Sequence, residues 1–80
     1  MPVTYYVVVY FDYDAEGALK AGEAREVTHG WAAERAAMFL AKEHAGAIAF
    51  SRTGDPATGE FENAVILAQF GEVDPDALSI

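Results

Sequence analysis

The chain contains no cysteine. That absence removes disulfides, thiolate zinc sites, iron–sulfur clusters and cysteine nucleophiles together, and it fits a reducing compartment. Cations are also scarce. Five Lys and Arg stand against thirteen Asp and Glu, a net charge of −8. Such a chain repels phosphate backbones and anionic headgroups at long range, so neither nucleic acid nor a membrane surface is expected as a partner. The only cations are Lys20, Arg25, Arg35, Lys42 and Arg52, spread along the sequence. The apolar run Val7-Val8-Val9-Tyr10-Phe11 is far too short to span a bilayer. No leader with a basic start, an apolar stretch and a cleavage site is legible at the N-terminus, so a cytoplasmic location is the expectation. The sequence has no Gly-x-Ser-x-Gly elbow, no phosphate-cradling Gly-rich loop, no repeat and no low-complexity stretch.

What is present is apolar surface. The 80 residues make one small domain, read as residues 1–72 with an acidic tail over 73–80. Hydrophobic residues make up 52%, including one Trp, four Tyr and five Phe. A chain this short buries only about 60% of its unfolded surface. So much apolar surface therefore raises the question of burial against another copy.

Val3 to Tyr13 is dense in Val, Tyr and Phe and reads as a strand. Asp14-Ala15-Glu16-Gly17 reads as a turn, followed by a return strand over Ala18 to Thr28, interrupted near Gly22. A loop with a short helical turn is the alternative there. Trp31 to Ala45 is filled with helix-favouring residues, with Thr28 or Gly30 placed to cap its start and Gly46 to end it. Ala33, Ala36, Ala37, Leu40 and His44 share one helical face, small enough to lie close to a sheet. Ala47 to Thr53 and Glu60 to Phe70 read as a hairpin. Pro56 fixes the first corner of its turn, Asp55 bonds the following N–H groups, and Gly59 supplies the positive φ that closes it. That turn puts Gly54 opposite Phe61, Arg52 opposite Asn63, Phe50 opposite Val65 and Ile48 opposite Leu67.

The loop Asp55-Pro56-Ala57-Thr58-Gly59 resembles the turn of chignolin, a designed minimal hairpin, which speaks to shape alone. The longer run from His44 to Phe61, continuing through Ala64-Val65-Ile66-Leu67-Ala68 to Val73, resembles a segment of short bacterial proteins. That resemblance implies bacterial origin and carries over no activity, ligand or catalytic residue.

The expected fold is α+β: an antiparallel sheet of three to four strands in the order β-β-α-β-β, with one helix packed on one face. Dodecin-like proteins are an architectural neighbour, an analogy of shape only. Side chains alternate along strands, so each strand offers two faces. Tyr5, Val7, Val9, Phe11, Ile48, Phe50 and Leu67 form a bulky face suited to the helix. The other face is small yet apolar, where a solvated face would be polar. Its residues Tyr6, Val8, Tyr10, Ala49, Ala64, Ile66 and Ala68 are the candidate interface of a homodimer or larger oligomer. The tail offers only Val73, Leu78 and Ile80 as a lid.

Two other readings concern chemistry. Asp12, Asp14, Glu16 and Glu23 stand at places 1, 3, 5 and 12 of a twelve-residue window with Gly17 at place 6. That spacing resembles the calcium loop of EF-hand proteins. It departs from that loop in Lys20 at place 9 and in its flanking elements, and a plain hairpin turn reads equally well. The two imidazoles, His29 and His44, sit near opposite helix ends, roughly 20 Å apart at the helical rise, too far to share an ion within one subunit. A site between subunits would have to bring His29 to acidic residues of another copy. The expected function is a non-catalytic, self-associating interaction module. The alternatives are a calcium-responsive module through the 12–23 loop, or a ligand site or enzyme formed between subunits.

Overall fold

The computed structural model describes residues 1–74 and 76. It contains β1 (Val3–Tyr13), β2 (Leu19–Val27), α1 (Gly30–Glu43), β3 (Gly46–Asp55), β4 (Glu60–Phe61) and β5 (Val65–Gly71). All pairings are antiparallel. The spatial order is β2-β1-β3, with β4 and β5 both paired to β3 on its far side. The fold is a small α+β domain with one helix on one face of the sheet, as the sequence predicts. The return strand forms in full. Among the described residues no helix is long and apolar enough to cross a membrane.

The turn between β3 and β4 follows its sequence closely. Ala57 N–H donates to the Asp55 carboxylate at 2.9 Å, and Gly59 N–H donates to the Asp55 carbonyl at 2.8 Å. Gly59 has φ +75°, which a side chain would disfavour. Gly54 pairs with Phe61. One residue on, Glu62 N–H still donates to the Thr53 carbonyl at 2.8 Å, and beyond it the expected register fails. Residues 62–64 are not strand, so the predicted single strand divides into β4 and β5. Chain pairing resumes with Ser51 opposite Val65 and Phe50 opposite Ile66, then shifts so that Ala49 faces Ala68. The extra residue in that shift is Leu67, a bulge that turns its side chain toward the helix.

The helix ends differ from expectation as well. His29 is the N-cap residue and makes no side-chain cap bond. His44 ends the helix in an extended conformation, its N–H donating to the Leu40 carbonyl at 2.9 Å. Gly46 is already part of β3. A β-carbon there would collide with the backbone of Glu72, so the residue permits a close approach rather than a helix-ending turn.

The larger correction concerns which face the helix covers. Ala33 and Ala37 on its underside are fully buried, and they pack on Val8, Ala47 and Ala49. These belong to the small face, not the bulky one. The physical reason is fit between layers: an alanine-lined helix gains contact by settling onto a flat surface, whereas Ile48 and Phe50 would hold it away. The bulky face is covered by other means. Val9, Phe11, Ile48 and Phe50 are at most 6% exposed, packed by Val7, Leu19, Ala64 and Val73. Val73 thus supplies covering that was not expected of the tail; Pro75, Leu78 and Ile80 lie outside the described residues. Burying Phe11, Ile48 and Val8, the largest fully enclosed side chains, contributes about 1.5–3 kcal/mol each.

Candidate functional site

The residues expected to form an interface are divided by this packing. Val8 and Ala49 are fully buried under α1, and Tyr6, Tyr10 and Ala68 pack on the same cluster. None of these five is open to a partner as a face. Ala64 packs on the opposite cluster. Ile66, turned by the Leu67 bulge, pairs with Phe50 on that side and is 45% exposed.

The acidic loop is a hairpin turn. Asp14 accepts the N–H groups of Glu16 and Ala18, each at 2.9 Å, and its own N–H donates to the Ala18 carbonyl. The Ala18 N–H, with that of Glu16, holds the Asp14 carboxyl below its ordinary pKa. Asp12 is committed elsewhere, and Glu23 lies on β2 near Tyr10. Among the described residues no group of three or more His, Asp or Glu could hold a metal ion. The four acids of the calcium-like spacing are therefore not gathered, because the first two turn their oxygens onto the protein's own N–H groups.

Asp12 forms a pairing that the sequence reading missed. One carboxylate oxygen lies 2.5 Å from His44 Nδ1, and the other accepts the Ala45 N–H at 3.1 Å. A carboxylate only accepts, so His44 Nδ1 is the donor in this bond. The bond from His44 is the main cause holding the Asp12 carboxyl below its ordinary pKa, reinforced by Ala45. The Tyr10 ring stacks on His44, centroids 3.9 Å apart. Tyr10 also lies across β2, where a β-carbon on Gly22 would fall within its ring. The interruption near Gly22 is a bulge: Val9 pairs with Ala24 and Phe11 with Ala21, so Tyr10 meets two residues of β2. The adjacent cavity, about 140 Å³, is lined by Tyr10, Glu23, Ala24, Arg25 and Leu40, without His44. The cluster Asp12–His44–Tyr10 ties the C-terminal end of α1 to β1. A signal for it exists in the register: Phe11 pairs with Gly46, which brings Asp12 beside Ala45. His29, by contrast, stacks on Trp31 near the other helix end.

Three large apolar side chains stand open together on the outer side of α1. Trp31, Phe39 and Met38 are 63%, 59% and 48% exposed. The helix packs mainly on β3, β1 and β5 and barely touches β2. A step is left beside it, a shallow groove of about 340 Å³ with Trp31, Ala36, Phe39 and Leu40 along its apolar wall. Arg25 of β2 and Arg35 of α1 stand in the same groove. Arg35 leans toward the Trp31 ring, 6.0 Å from its centre. Among the described residues neither Arg25 nor Arg35 forms an ion pair with a carboxylate. Two of the chain's five cations therefore meet at one apolar groove beside an edge strand. Compared with protein-family models, with curated proteins and with solved structures, the chain matches none.

Proposed function

We propose that this protein is a small non-catalytic module that self-associates through the outer side of α1 and the adjoining strand β2. The observation that carries this reading is the exposure of Trp31, Phe39 and Met38 together on the one helix. Large apolar side chains gathered on the surface of a small chain mark contact sites more often than scattered single ones do. Trp and Arg are also the residue types that dominate contact energies, and here both line the groove. The small sheet face is closed by the helix, so the contact moves from the sheet surface to the helix exterior and the sheet edge.

Trp31 is the only tryptophan, so its emission reports on this surface directly. Dilution of the protein over roughly a thousandfold range should move the emission to the red as partners separate. Phe39→Glu should weaken association at least about tenfold while the variant melts cooperatively near the parent temperature. Emission that is independent of concentration, together with a Phe39→Glu variant indistinguishable from the parent, would exclude this surface.

A further inference from the structure

Among the described residues the strand β2 is an edge of the sheet: nine residues paired only with β1. Its outward N–H and C=O groups can accept another strand. We infer that the occupant is a second copy of the same strand, running antiparallel about a two-fold axis at Ala24. In that arrangement Glu23 of each copy lies opposite Arg25 of the partner subunit. The inference rests on the self-association reading and names its register.

The charge pattern selects this register. In a symmetric antiparallel pair each residue faces one on the same side of the sheet, so the axis passes between a residue and its own copy. Beyond the bulge β2 pairs with β1 at Ala24, Arg25, Glu26 and Val27, with Glu23 in the bulge itself; Val27 ends the strand and leaves no ladder on its far side, so Glu23, Ala24, Arg25 and Glu26 are the positions that can hold the axis. An axis at Glu23, Arg25 or Glu26 sets two like charges face to face, which is destabilising. At Ala24 the axis brings two alanines together and forms two Glu–Arg pairs, one on each side. Glu23 and Arg25 line one small cavity with Tyr10 and Leu40, which places both on the helix side of β2 as the pairing requires. Glu26 then faces the partner's Gly22, and Val27 faces its Ala21, so no further charges oppose. Charges and a bulge on an edge strand ordinarily discourage indiscriminate pairing. Here they penalise neighbouring registers and leave one complementary.

The geometry also accounts for the groove. On the helix side β2 is covered only in part, by the Tyr10 ring and a slight contact with α1. Joining two such edges sets two partly covered strands between two helices, with Trp31 and Phe39 of each copy lining the channel between them. The exposed apolar residues and the unpaired Arg25 belong to one contact.

A charge-swap series measured by analytical ultracentrifugation tests this. Glu23 and Arg25 are both exposed, so their replacement leaves the core intact, and thermal melting checks that each variant folds. Glu23→Arg alone and Arg25→Glu alone each turn two attractive pairs into two repulsive ones and should raise the dissociation constant at least about tenfold. The double variant Glu23→Arg/Arg25→Glu restores opposite pairs and should return to within about threefold of the parent. A parent dimer indifferent to both single reversals overturns the β2 register and leaves self-association standing through another surface. A double variant as weak as the singles overturns it too. A parent that stays monomeric throughout overturns self-association and the register together, and leaves the edge to a different acidic partner.

Discussion

Replacing Ala37 with Leu separates two accounts of how the helix meets the sheet. Ala37 is fully buried, and so are its neighbours Val8, Ala33, Ala47 and Ala49. Leucine adds three carbons. Were there room, burying them would stabilise by about 2.4 kcal/mol at roughly 0.8 kcal/mol per carbon. Helix propensity changes little between these residues, so the backbone does not decide the sign. The packing does. An alanine underside lying on an alanine and valine surface leaves no space for a larger side chain, and overfilling such a core costs about 1–3 kcal/mol. A chain of 80 residues has only about 4–12 kcal/mol in all. The melting temperature should fall by about 4–8 °C for each kcal/mol lost. Urea unfolding followed by circular dichroism, at one fixed protein concentration, gives the value; the slope with denaturant should stay constant. Met38→Leu on the exposed side serves as the control and should change little. An Ala37→Leu variant as stable as the parent, or more stable, would mean that the helix does not rest closely on the small face.

Gly22→Ala should lower the melting temperature, because its β-carbon meets the Tyr10 ring; shortening that ring with Tyr10→Leu in the same chain should recover part of the loss. Ile66→Lys should fold and leave association unchanged, since Ile66 is 45% exposed and lies on the side away from α1; a dissociated variant would point to the opposite sheet face. Acid should destabilise the protein through Asp12 and Asp14. Both carboxyls are depressed in the folded state, so their contribution is complete above the ordinary carboxylate pKa and is lost as pH falls through the folded value. Asp12→Asn should therefore show a shallower loss of the urea midpoint below about pH 4, and an unchanged acid slope would contradict this assignment.

How much of this was legible depended on the range of the interactions involved. The hairpin turn at Asp55 to Gly59 was readable because its chemistry is local: every bond that fixes it lies within five residues. The helix was readable from periodicity, and its alanine face correctly implied a close approach to a sheet. Its choice of face was not, because alternation along a strand yields two apolar faces and only the fit between layers ranks them. The register beyond Glu62 was lost where Asn63 and Ala64 leave the ladder and Leu67 bulges: a lone Asn does not say how far a strand departs, and Leu67 sits in an apolar run with no turn residue. The candidate interface inherited both errors. The acidic window from Asp12 to Glu23 had the spacing of a calcium loop, but spacing does not say whether carboxylates turn to an ion or to nearby N–H groups. The Asp12–His44 bond joins residues 32 apart, and it becomes visible only once β1 is known to pair with β3.

Self-association is the claim on which the functional reading stands, and the mass in solution tests it most directly. Light scattering behind a sizing column, run at two concentrations, should give twice 8.6 kDa at the higher one and a lower average on dilution. A single species of 8.6 kDa at both concentrations would contradict the account.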